Sequence, residues 1–121
     1  MTTPAWLQPL FAAIDRRDAK AFVTFLTDDA TFRFGSADAV VGRAAIREAV
    51  GGFFASIARL DHTIDDVWAP PGAVVLHGEV TYTRHDGGRL TVPFANICKL
   101  KGEKVCEYRI FVDASELFLP A

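Results

Sequence analysis

The sequence predicts an α+β fold, with helices first and a meandering sheet after them. Three observations carry this. Apolar residues recur at helical spacing in three segments before residue 58. Beyond residue 60 the chain changes to long runs rich in β-branched and aromatic residues. Those runs are parted by compact turn signals: Pro70-Pro71-Gly72, His85-Asp86-Gly87-Gly88 and Lys101-Gly102-Glu103.

The first helix is expected over 4–14, with Pro4 near its start and Trp6, Leu7, Leu10, Phe11 and Ile14 on one face. A second runs over 19–26, with Asp18 as its N-cap. Asp28-Asp29 reads as a turn, residues 30–34 as a strand with Phe32 and Phe34 on one face, and Val40-Val41 as a short strand. A third helix opens near Gly42 and reaches Ala58, with Ile46, Val50, Phe53, Phe54 and Ile57 as its stripe. Strands are expected over 61–68, 73–84, 89–100 and 104–112.

With 121 residues the chain is expected to form one domain, 1–121. Hydrophobic residues make up 50%, ample for a core, and ten are Phe. A net charge of −2 gives no basic footprint for nucleic acid. No apolar run approaches the roughly 18–20 residues that span a bilayer, and the first residues lack the pattern of a secretion signal. A cytoplasmic location is therefore expected. Cys98 and Cys106 then read as free thiols. No spacing suggests a metal or cofactor, and Asp65-Asp66 lacks a third ligand nearby.

The segment Val74-Val75-Leu76-His77-Gly78-Glu79-Val80-Thr81-Tyr82 puts His77 and Glu79 on one face of a strand. A two-residue Asp86-Gly87 turn would set His77 opposite Asn96 and Glu79 opposite Phe94. At the second turn a two-residue loop would put Asn96 on the face of Glu107 and Arg109. The three-residue loop Lys101-Gly102-Glu103, preferred because it joins two apolar sets, would set Asn96 opposite Tyr108. One face would then carry the row His77, Asn96 and Tyr108, with Glu79 one step along. Phe32, Phe34, Val92, Phe94 and Ile110 would be its apolar, substrate-binding surroundings. The other face would hold Leu76, Gly78, Val80, Tyr82, Pro93, Ala95, Ile97, Arg109 and Phe111. That is too apolar for open water, so a homodimer through the outer sheet face is expected.

Asp28-Asp29-Ala30-Thr31-Phe32, the run Gly42 to Glu48 and the run Gly102 to Asp113 together resemble the nuclear transport factor 2 and SnoaL-like superfamily. It includes ketosteroid isomerase, limonene epoxide hydrolase and the SnoaL-like polyketide cyclases. The resemblance covers about residues 6–118. It implies a cone-shaped α+β barrel, three helices on a curved, mostly antiparallel sheet enclosing an apolar pocket. It also implies a small-molecule ligand. Asn96 matches the isomerase's oxyanion-hole acid, but Phe34 stands at its base and Leu10 roughly at its tyrosine. His77-Gly78-Glu79 falls where the hydrolase has Arg-x-Asp. Ile110 replaces the acid/base Asp of both hydrolase and cyclases. Arg109 and Asp113 match structural positions.

Two functions stay open. One is a cofactor-independent enzyme acting on a small apolar oxygen-bearing molecule: an isomerase, cyclase, dehydratase or hydrolase. His77, assisted by Glu79, would move the proton, and Asn96 with Tyr108 would stabilise charge on oxygen. The other is a non-catalytic ligand-binding or dimerisation module, in which the same residues are satisfied core polar groups. His62 and His85 read as surface or turn residues.

Overall fold

The computed structural model describes residues 3–118. Helices α1 (Leu7–Asp15), α2 (Ala19–Val23) and α3 (Arg43–Ala55) lie among strands β1 (Leu26–Phe34) and β2 (Val40–Val41). Strands β3 (Arg59–Trp68), β4 (Ala73–Thr83), β5 (Arg89–Lys101) and β6 (Lys104–Val112) follow. They form one six-stranded sheet in the order β2-β1-β6-β5-β4-β3. All neighbours are antiparallel except β1 and β6, which run parallel. The expected α+β class holds, with an open, curled sheet in place of a closed barrel.

The helices fold as their patterns dictate. Leu7, Leu10, Phe11 and Ile14 of α1 are buried, as are Ile46, Val50 and Phe54 of α3. Asp18 caps α2 by accepting from the Ala21 N–H at 2.9 Å. Several boundaries differ: α1 begins at Leu7 rather than at residue 4, α2 ends at Val23 rather than at 26, with Leu26 already in β1, and α3 ends at Ala55 rather than at 58. Asp28-Asp29 is no turn but part of β1, where the pairing to β6 shifts between Leu26 and Thr31. The exposed carboxylates point away from the core at this irregularity.

The larger difference is the register of β4 on β5. The hairpin loop has three residues, not two: the Arg84 N–H donates to Gly88 O at 2.7 Å, outside His85-Asp86-Gly87. Gly87 takes φ +90°, the left-handed residue such a loop requires. The Asp86 side chain accepts from the Gly88 N–H at 2.9 Å and from Arg84 Nε at 3.0 Å, locking the turn. One added residue inverts the faces. Asn96 therefore lies opposite Leu76, and His77 opposite Ala95.

The second hairpin departs twice, and the departures cancel. Lys101 pairs with Lys104 across a two-residue turn, but a bulge between Lys99 and Leu100 absorbs one residue of β6. Asn96 pairs with Ile110, and Tyr108 with Cys98. Asn96 and Tyr108 thus share the inner face, as diagonal neighbours.

The inner face carries Leu76, Val80, Tyr82, Phe94, Asn96, Cys98 and Tyr108, all buried under the helices. Leu76, Gly78, Val80 and Tyr82, expected outside, are inside. Gly78 has a packing reason. A Cβ there would lie 1.8 Å from Thr63 O, because β3 passes close beside its own irregularity between Ile64 and Asp66. Gly78→Ala is expected to cost at least the roughly 1–3 kcal/mol of overpacking, because the obstacle is backbone. Urea unfolding against wild type measures it.

Candidate functional site

A cavity of about 210 Å³ lies between the sheet's inner face and the helices. Its walls are largely aromatic: Phe22, Phe32, Phe34, Phe53, Phe54, Phe94, Tyr82 and Tyr108 all line it. Parallel pairing sets Phe32 beside Tyr108 and Phe34 beside Ile110, and the Phe32 and Tyr108 rings stack at 5.7 Å. Exposed Asp38 lies on the lining, in the segment between β1 and β2. Of the expected lining, Phe32, Phe34, Phe94 and Ile110 are present. Val92 faces inward, opposite Val80, but lies outside the cavity lining.

Few polar groups reach this space. Asn96, 2% exposed, donates from Nδ2 to the Tyr108 hydroxyl oxygen at 3.0 Å. Its Oδ1 is buried without a partner among the described residues. The Tyr108 O–H hydrogen is then unspent. If the amide is turned over, Tyr108 donates to Oδ1 and the Nδ2 hydrogens are unspent instead. Either way the pair keeps a free donor in an apolar cavity. An unsatisfied buried group of this kind costs about 1–3 kcal/mol, which a ligand oxygen would recover.

The second polar group is His62. It is not a surface residue: its side chain is 11% exposed and lines the cavity. Its Nδ1 lies 2.6 Å from Asp15 Oδ1, and its backbone N–H donates to Asp15 Oδ2 at 3.2 Å. One carboxylate at the end of α1 thus fixes both the strand and the ring. With Nδ1–H donated to the carboxylate, Nε2 keeps its lone pair and has no hydrogen-bond partner among the described residues. The ring stands edge-on between Phe11 and Phe94, each 5.0 Å away.

The sequence carried a signal for His62. Leu60, His62 and Ile64 alternate, so the apolar pair on either side turns the imidazole inward. Asp15 follows Leu7 and Phe11 at intervals of eight and four, on the buried stripe of α1.

The row of four expected residues splits. Asn96 and Tyr108 come together inside. His77 and Glu79 lie on the outer face, because the three-residue loop inverted their strand. His77 Nε2 bonds Asp66 at 2.9 Å, and its ring stacks on Trp68 at 5.7 Å and 14°. Glu79 is exposed beside Pro93 and Thr63. His85, as expected, is in the turn, where its ring bonds Ala55 O at 2.9 Å. Arg109 is also outward, its guanidinium 4.9 Å from the Phe111 ring centroid. Among the described residues no group of three His, Cys, Asp or Glu is placed to hold a metal ion. No helix among them is long and apolar enough to cross a membrane.

A family model described as SnoaL-like domain matches residues 7–108, and the chain belongs to that family. No curated protein sequence gives a significant match. Solved structures share the fold. A protein with a ketosteroid isomerase-like fold from Catenulispora acidiphila, in complex with trimethylamine, is 20% identical with a TM-score of 0.83, covering 91% of this chain and 86% of its own. An NTF2-like protein of unknown function from Burkholderia pseudomallei is 15% identical with a TM-score of 0.82, covering 92% and 90%. A limonene-epoxide-hydrolase-like epoxide hydrolase from M. tuberculosis is 12% identical with a TM-score of 0.77, covering 93% and 83%.

Burial pushes the Tyr108 hydroxyl well above its ordinary range, with the neighbouring Cys98 adding to the shift. Burial raises Tyr82 as well, and takes the Cys98 thiol up to about 12. These are the chain's two tyrosines. For an acid whose folded pKa is raised, the stabilising effect is complete below the unfolded value. It is lost as pH climbs through the folded one. Stability should therefore fall above about pH 10, the unfolded tyrosine value. Tyrosinate absorbance near 295 nm should rise only together with the loss of far-UV circular dichroism. A smooth titration near pH 10 in folded protein would contradict the burial of both rings.

Proposed function

We propose that the chain is a cofactor-independent acid/base enzyme acting on a small, single-ring, oxygen-bearing molecule. The observation that carries this is His62. It is a nearly buried imidazole, held by a carboxylate through Nδ1, on the wall of an apolar cavity that also contains the Asn96–Tyr108 pair. Nε2 would take or give the proton. The free donor of the pair would bind the substrate oxygen and stabilise the charge that develops there. The apolar walls strengthen both interactions by excluding water. Asn96 and Tyr108 keep the role expected of them, and His62 with Asp15 replaces His77 and Glu79.

Size and spacing limit the substrate. An apolar cavity of about 150 Å³ accommodates benzene, so about 210 Å³ suits one substituted ring. His62 shares a row with Val80 and Val92, whereas Asn96 lies four residues farther along β5. The anchor and the imidazole would therefore meet different parts of the substrate, and an enone or phenol offers both an oxygen to the donor and a ring carbon whose proton the imidazole could move. Isomerisation, dehydration, cyclisation and hydrolysis all remain within this chemistry.

The test is hydrogen–deuterium exchange at the ring carbons of 2-cyclohexenone and phenol in D₂O, followed by NMR. Wild type should exceed buffer, and His62→Gln should lose about 10²–10⁴-fold of that rate, the usual contribution of a positioned acid/base. His77→Gln should behave as wild type. Equal rates for wild type and His62→Gln would leave a non-catalytic binder, for which the absence of a carboxylate at Ile110 and Phe34 already speaks.

The outer face fits a homodimer. Trp68 and Phe111 are 46% and 44% exposed there, with Pro93, Ala95 and Ile97 between them. Phe111→Glu should halve the sedimenting mass, and an unchanged mass would remove that interface. Two free cysteines fit the reducing cytoplasm.

A further inference from the structure

We infer that Asp15 and the groove outside it form the solvent-side exit for the proton on His62, letting the imidazole recharge while the cavity is filled. The inference rests on the acid/base reading of His62 above. Behind α1 lies an open groove floored by Leu7, Phe11, Ile64 and Val67. Among the described residues, His62 alone lines both the groove and the inner cavity. Phe11 lines the groove side and Phe94 the cavity side, and each ring centroid lies 5.0 Å from that of the imidazole. Phe11, His62 and Phe94 thus make an aromatic partition in which the imidazole is the polar part. Asp15 lies on the groove side only, and its side chain is 32% exposed against 11% for His62.

The two ring nitrogens therefore serve different compartments. Nε2 accepts a proton from the substrate and the ring becomes imidazolium. Its Nδ1 proton then passes along the 2.6 Å bond to Asp15 and on to water in the groove. This leaves a neutral ring protonated at Nε2. The cycle closes when groove water reprotonates Nδ1 through Asp15 and Nε2 gives its proton to the product. One proton enters and one leaves on each side, so no net charge builds up and no co-reactant is needed. The other charged groups facing the groove are Asp65 and Asp66 of β3, both acidic. Their field favours a departing cation, and Asp66 also holds His77.

A cavity with a single mouth would have to release its ligand before each proton exchange. This partition removes that requirement, and Asp15 is a positioning and relay residue in it.

The experiment measures solvent exchange of the His62 Nδ1–H by saturation transfer on ¹⁵N-histidine-labelled full chain, with no substrate present. Two matched variants place a Trp at exposed positions, Ala12→Trp over the groove and Ala49→Trp at the cavity lining. Ala12→Trp should slow the exchange at least tenfold, and Ala49→Trp should leave it within twofold of wild type. Slowing by Ala49→Trp but not by Ala12→Trp would overturn the inference, as would slowing by both or by neither. Turnover does not enter the readout. A wild type that exchanges no ketone hydrogens would sink the proposed enzyme, whereas these rates judge the route alone.

Discussion

The cavity depends on which faces of β4 and β5 turn inward, and three residues decide it. In the loop His85-Asp86-Gly87, the left-handed Gly87 and the Asp86 carboxylate fix a register that puts Leu76, Val80, Tyr82, Phe94 and Asn96 under the helices. Because strand side chains alternate, no partial error is available: one residue more or fewer exchanges every partner. Hydrophobic alternation points the same way: in β4 the inward Val74, Leu76, Val80 and Tyr82 are apolar, whereas the outward His77, Glu79, Thr81 and Thr83 are polar. Turn chemistry and burial agree on one register.

Within that frame the inner face tolerates few polar atoms, and two side-chain pairs hold three of them in place. His62 is bonded to α1 through Asp15, and Asn96 is bonded to Tyr108. Groups buried this way stiffen the structure when fully satisfied and are costly where one partner is lacking. Here each pair is satisfied at one end and open at the other: His62 at Nε2, and the amide–phenol pair at one donor. The open ends face a space lined by hydrocarbon, where a hydrogen bond counts for more than in water.

Much of this was legible in the sequence. The three helical stripes, the six strands and the inward set of Phe32, Phe34, Phe94 and Asn96 follow from periodicity. Asn96 and Tyr108 also share a face as expected, although through a tight turn plus a bulge and not through a wide turn. The assignment of His77 and Glu79 failed for one reason. Asp-Gly favours a two-residue hairpin locally, but Gly88 and the Asp86 side chain together close a three-residue loop instead. The alternation within β4 did record it, with Leu76, Val80 and Tyr82 apolar on one face and His77, Glu79, Thr81 and Thr83 polar on the other. His62 was readable from Leu60 and Ile64 on either side, but its importance comes from Asp15, 47 positions away, and only the packing of α1 on β3 joins them.

The parallel pairing of β1 with β6 has a consequence for how the chain acquires its shape. Phe32 and Phe34, which wall one side of the cavity, find Tyr108 and Ile110 only at the last strand. The hairpins from β3 to β6 close over short loops, but Phe32 and Tyr108 lie 76 residues apart in a chain of 121. Loop closure of that length delays the step and makes it dependent on everything between. During synthesis β1 and the helices wait with their aromatic side chains uncovered until β6 has emerged. For that interval the apolar surface that later walls the cavity lies open to water and to association with other chains.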